Sequence, residues 1–183
     1  AWFLSQKHQV VLFEKQPRLG GHTNTIKVKE GDKTIPVDTG FIVFNRPNYL
    51  HLTAMFKHLK VATQDTEMSF AVSIDEGDVE YSGTDINGLF AQRSNLFSIS
   101  HWKMIFEILR FNKTAKADLK SSKLLDESLG DYLLENHFSN KMRDHYLLPM
   151  AAAIWSCPVD TMLKFPTRSF LQFFENHGLL NVE

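Results

Sequence analysis

The sequence predicts an α/β chain in two parts, a short strand-and-glycine-turn segment followed by a mostly helical α+β portion. Three observations predict it. Val10–Phe13 is a continuous apolar run, the pattern of a parallel strand covered on both faces, and it ends in Glu14. Arg18, the pair Gly20-Gly21 and a hydroxyl-rich turn follow at once. After Gly88 the apolar spacing becomes helical almost to the end of the chain.

Composition bounds the reading. With 183 residues the chain fits one domain or pieces of two, and 43% hydrophobic residues suffice for a core. Lys+Arg 20 against Asp+Glu 21 leaves a formal charge of -1, which argues against an electrostatic nucleic-acid partner. Cys157 stands alone, so there is no disulfide framework; a reducing, cytoplasmic compartment is expected. No apolar run approaches the roughly 20 residues of a membrane span. The start Ala1-Trp2-Phe3-Leu4 carries no Met and no signal-peptide pattern. It reads as the middle of a helix and predicts that the chain is a fragment of a longer protein.

The elements follow in order. Residues 1–6 read as the last turns of a helix, before the strand at 10–13. Thr25–Lys29 and Thr34–Val37 flank Gly31-Asp32 as a hairpin, which Asp38-Thr39-Gly40 ends. Asn48 is placed to cap a helix to about Leu59, with Leu50, Leu52, Met55, Phe56 and Leu59 inside. Met68–Ile74 and Val79–Ser82 flank residues 75–78 as a second hairpin, with Phe70, Val72 and Ile74 on one face. Helices are expected over 89–93, 101–112, 128–137, 140–153 and 166–176, the fourth bent or interrupted by Pro149. The polar stretch Lys113–Lys123 reads as a mobile connection. The domain division expected is 1–45, the remnant of a cofactor domain, and 46–183, a substrate-domain portion.

The chemistry concentrates in the first part. A carboxylate at the end of a parallel strand faces the crevice where doubly wound sheets bind ligands, and Glu14 there accepts hydrogen bonds from ribose hydroxyls. Taken alone, a solvated strand-end acid is the simpler reading. Gly20 and Gly21 lack side chains, so their amides can approach a pyrophosphate. Arg18 supplies a cation, and Thr23 and Thr25 supply hydroxyls. The plain alternatives are a tight turn and a surface charge.

The spacing Glu14-x-x-x-Arg18-x-Gly20-Gly21-His22-x-x-Thr25 resembles the second FAD motif of the flavin-containing amine oxidase and phytoene desaturase superfamily. The resemblance implies that Glu14 ends the second strand of a Rossmann domain and that Arg18, Gly20, Gly21, His22 and Thr25 run beside the FAD diphosphate. It implies that the Gly40 of Asp38-Thr39-Gly40 lies near the flavin ring. Phe41, Phe44 and Pro47-Asn48-Tyr49 fit the family's next segment, and Leu59-Lys60-Val61 fits its Leu-Gly-Val step with Lys60 in the glycine's place. The specific match covers Val10–Val61; beyond it only the layout agrees. The first strand with its G-x-G-x-x-G loop and the segment that returns to cover the flavin are missing, so FAD binding by this chain is expected to be weak or absent. The parent is then an FAD-dependent oxidoreductase that passes a hydride from an amine or apolar, lipid-like small molecule to the flavin. A noncatalytic helical interaction module, or an inactive fragment, is the alternative.

Other sites weigh less. His51 and His58 lie seven apart on one helix, a spacing that favours structural roles over metal binding, and no metal is assigned. Cys157 reads as a packing thiol. The run Ala151-Ala152-Ala153-Ile154-Trp155 could wall a pocket, although tight helix packing explains it better. Lys164 and Arg168 fit an acidic head group or a plain surface equally well. No acid–base constellation stands out, so no catalytic residue is named; the flavin would carry the chemistry.

Overall fold

Gly31 and Asp32 close the first hairpin. Strand β1 (Asn24–Glu30) pairs antiparallel with β2 (Lys33–Gly40), and Glu30 faces Lys33 across the turn. Gly31 takes φ 59 at the first loop position, a sign that tight hairpin turns demand and glycine adopts freely. This computed structural model describes residues 1–67, 69–83, 85–121 and 126–181, in two compact units, Ala1–Val61 and Ala62–Glu183.

In the first unit a short helix α1 (Trp2–Ser5) precedes the hairpin and α2 (Leu50–Leu59) follows it. Trp2 meets His58 edge-on at 5.1 Å, and Phe44 meets Phe56 edge-on at 5.3 Å. Helix α2 begins one residue later than a cap at Asn48 would start it. Asn45 Oδ1 accepts the Asn48 amide and closes a turn there, so Tyr49 becomes the boundary residue. Leu52, Met55 and Phe56 are half-buried, whereas Leu50 and Leu59 are exposed.

The run Val10–Phe13 is not the buried strand that its composition predicts. It has no regular structure, and Val11, Leu12 and Phe13 are 70%, 58% and 90% exposed. The reason is pairing: the described strands form two antiparallel hairpins, and this segment is hydrogen-bonded to neither. Without a neighbour its peptide groups turn to water and its side chains have no layer to enter.

The second unit holds the core. Strand β3 (Ala71–Ile74) pairs antiparallel with β4 (Val79–Ser82) across a turn in which Asp75, Glu76 and Gly77 all have positive φ. Val72 is buried, and Phe70 and Ile74 pack against the core from the same face, as their alternation predicts. Met68, at the expected start of this hairpin, lies outside the described residues. Where one helix was expected at 89–93, the chain instead forms α3 (Ile86–Leu89), with Asp85 accepting the Gly88 amide, and a 3-10 turn over Arg93–Phe97.

Helix α4 (Ile99–Lys120) runs for 22 residues from a Ser98 cap. It absorbs most of the expected mobile connection. Ala115, one turn beyond Phe111, is fully buried and extends the inward stripe through the polar segment. Residues 122 and 123 of that stretch lie outside the described residues. Helix α5 (Leu129–Glu135) starts at Ser128, whose hydroxyl accepts the Asp131 amide and donates to its carboxylate.

The helix expected over 140–153 is broken as Pro149 requires. Helix α6 (Asn140–Met142) passes through a π-turn at Arg143–Leu147 into α7 (Leu148–Trp155). Pro149 has no N–H for the carbonyl four residues back, that of His145. The Tyr81 hydroxyl donates to that oxygen at 2.5 Å. Helix α8 (Val159–Leu163), which the sequence reading did not anticipate, and α9 (Thr167–Asn176) complete the unit. Met104, Phe111, Leu129, Tyr132, Phe170 and Phe174 lie at its centre.

Candidate functional site

The candidate site is the loop between Glu14 and β1, together with the end of β2. Arg18 folds back across the loop: Nη2 donates to the Gly21 carbonyl at 2.8 Å and Nη1 to the Thr23 carbonyl at 3.0 Å. The Thr23 amide donates to the Gly20 carbonyl at 3.0 Å and closes the turn from the inside. Gly20 sits at φ 117, and a Cβ there would stand 2.7 Å from the Thr23 oxygen. Gly21 sits at φ 58 with nothing within 4 Å of a Cβ position, so that side of the loop is open to a ligand.

The strand end locks onto this loop. A Cβ on Gly40 would fall 1.9 Å from the His22 carbonyl oxygen, so only a glycine lets the two backbones lie this close. Thr25 Oγ1 donates to Asp38 Oδ1 at 2.5 Å, and Thr39 Oγ1 both accepts from Asn24 Nδ2 and donates to the Asn24 carbonyl. Arg18, Gly20, Gly21, His22, Thr25 and Gly40 are therefore brought into one cluster. Glu14 is exposed and bonds within its own turn, accepting the Gln16 amide at 2.9 Å. It stands at the end of an irregular segment, not of a strand. The reading from sequence missed the Asn24–Thr39 clasp; their equivalent places at the end of the hairpin were the available signal.

Two of the five guanidinium N–H groups of Arg18 are spent on the loop itself. The cation is thus a brace first, with donors left over. The loop offers glycine-lined backbone, a fixed positive charge and, upstream, a carboxylate. That donor set suits a ligand with phosphates and sugar hydroxyls.

Residues 1–59 match the family model described as an NAD(P)-binding Rossmann-like domain. The match contains every residue of the cluster and Glu14. It indicates a dinucleotide-binding fold of the oxidoreductase type on a chain whose described structure is mixed α/β. Among curated proteins none matches the chain. No helix of the described residues is long and apolar enough to cross a membrane.

The other candidates resolve into packing or surface. His58 lies against Trp2, and no group of three metal-ligating side chains occurs among the described residues. Cys157 is half-buried with its Sγ 3.1 Å from Met162 Sδ. Trp155 sits in an aromatic nest, 4.4 Å from Phe173 and 5.4 Å from Phe165 between ring centres. Ala151 is buried, whereas Ala153 and Ile154 are exposed, so only part of that run packs against the core. Lys164 and Arg168 are both exposed.

The perturbed ionisable groups belong to the second unit. Burial, with the neighbouring Tyr146 charge, pushes the Tyr81 hydroxyl well above its usual range, and burial pushes Tyr146 up to about 12. Burial and a hydrogen bond to Asp118 raise Tyr132. Hydrogen bonding to Asp144 raises Arg143. His101 is lowered chiefly by burial, against a hydrogen bond to the Leu89 carbonyl that raises it, with Lys141 adding repulsion. These shifts keep the tyrosines protonated and His101 neutral, as core residues require.

Proposed function

We propose that the first unit holds the adenosine and diphosphate portion of FAD, and that the chain belongs to an FAD-dependent oxidoreductase of the amine-oxidase and phytoene-desaturase kind. The observation that carries this is the clamp of Gly40 on the His22 peptide beside the Arg18-braced Gly20-Gly21 turn. It holds three glycines and a guanidinium in a fixed cluster, which a plain surface turn does not need.

In this reading Glu14 accepts the ribose hydroxyls, the free side of Gly21 admits the diphosphate, and the spare N–H groups of Arg18 face its charge. His22 and Thr25 border the same path. Gly40 keeps its strand end low enough for the ring system to pass. The bound flavin supplies the hydride acceptor. The rest of the chain serves the substrate, an amine or an apolar lipid-like molecule. The unpaired Val10–Phe13 segment and the four-residue α1 offer neither a strand end nor a helix N-terminus to the phosphates, so weak binding is expected.

Titration of the chain with FAD, NAD and ADP, followed by flavin fluorescence and calorimetry, tests the reading. FAD is expected to bind, ADP to compete, and Glu14→Ala to weaken FAD roughly tenfold through the lost ribose bonds. A chain that stays colourless after FAD addition, or an unchanged affinity in the variant, overturns it. The second reading, a helical interaction module, rests on the fact that every fully buried residue among the described ones lies in the second unit.

A further inference from the structure

Helix α4 sorts its side chains by side. His101, Met104, Ile108 and Phe111 enter the core. Both of its acids turn to protein partners: buried Glu107 accepts from the Ser139 hydroxyl and amide, and Asp118 accepts from the Tyr132 hydroxyl. No acid of the helix is exposed on the outward side; Glu107 reaches the lining of the depression there with its carboxylate bonded to Ser139. The first half of that side is apolar, with Ile99, Trp102, Phe106 and Leu109 exposed, and Phe97 just before it is 90% exposed. Lys103, Arg110, Lys113 and Lys120 stand exposed on and beside the same side.

This exposed apolar set is contiguous along one helix, which a solvated surface does not explain. The depression along it is lined by α4 alone, from Ile99 to Arg110, so it has no second wall to grip a peptide. A second copy of the chain would set one basic side against another, which costs repulsion. Protruding aromatic and aliphatic side chains bordered by cations suit a negatively charged, fluid surface. We propose that this side of α4 docks the chain on a membrane surface containing anionic lipid. Phe97, Ile99, Trp102 and Phe106 enter the boundary between head groups and acyl chains, and the lysines meet lipid phosphates.

The test is co-sedimentation of the whole chain with vesicles of phosphatidylcholine alone, or with about a third phosphatidylglycerol. Binding to the mixed vesicles is expected, roughly tenfold weaker to pure phosphatidylcholine and reversed by high salt. The pair Phe97→Ser with Phe106→Ser, and separately Lys113→Glu with Lys120→Glu, should each lower binding by roughly tenfold or more. Both pairs are exposed, and an unchanged thermal melt by circular dichroism verifies the fold. Absence of sedimentation with mixed vesicles, or binding by both variants that equals that of the unchanged chain, overturns the proposal. So does a dimer in ultracentrifugation that Phe106→Ser abolishes without any vesicle binding, which would make a second copy the occupant.

Discussion

Arg18 illustrates how one side chain sets a local backbone. Its two bonds to the Gly21 and Thr23 carbonyls span a turn whose glycines would otherwise be free to move. Lysine keeps the charge but loses the planar fork. Arg18→Lys is therefore expected to speed amide hydrogen exchange across residues 20–25 while leaving the second unit unchanged, as mass spectrometry would read. Equal exchange in both proteins would mean that the hairpin alone holds the turn. His101 makes a different residue-scale prediction. Its Nε2 lies 2.9 Å from the Leu89 carbonyl, so the proton sits there, and its buried Nδ1 has no partner. A second proton would bury an unpaired cation. The native state thus binds fewer protons than the unfolded one between the lowered native pKa and about 6.5. The resulting stability is complete above that upper limit and is lost as pH falls through the window. The urea midpoint should decline on acidification, and His101→Gln should flatten that decline; an equal slope would remove His101 from the account.

At the scale of elements, Lys60 shows a cost carried at a helix end. It closes α2 in the left-handed conformation at φ 55, where a side chain is strained and glycine is not. Lys60→Gly is expected to stabilise the first unit by about 1 kcal/mol, seen as a higher denaturation midpoint. That position was legible in the sequence because Leu59-Lys60-Val61 stands where a Leu-Gly-Val step is expected. Both hairpins were legible for a local reason as well: Gly31-Asp32 and the 75–78 turn sit between alternating strands. The break near Pro149 followed from a missing N–H, although nothing local named Tyr81 as the donor that repairs it. Two elements were misread because their state depends on distant partners. Val10–Phe13 has strand composition, but a strand needs a hydrogen-bonded partner, and this segment pairs with neither hairpin. Lys113–Lys120 is polar on its outer side, yet Ala115 continues the buried stripe of Phe111, and that stripe decides the helix.

The site was legible in the same uneven way. Gly20 and Gly40 each occupy a place that only a missing side chain permits, Gly21 takes a positive φ that glycine adopts without strain, and spacing alone pointed to all three. At the scale of the whole chain, stability is unevenly distributed. No described residue of Ala1–Val61 is fully buried, whereas Ala62–Glu183 contains the entire core, from Val72 to Leu180. Apolar burial is the main term that opposes chain entropy, so the first unit must open at far lower cost than the second. Limited proteolysis should first cut within residues 1–61 and leave a resistant product beginning near residue 62. A ligand that binds only the closed form of the first unit adds RT ln(1 + [L]/Kd) to its stability, about 2.7 kcal/mol at a hundredfold excess over Kd. Saturating FAD should therefore slow those early cuts by up to roughly a hundredfold without altering the later ones. Glu14→Ala should lose the protection at the same FAD concentration, because the ribose bonds that favour the closed form are gone. Protection that persists in the variant would place the ligand elsewhere. Protection spread equally over both units would mean that they open together, and the division of stability argued from burial would not hold.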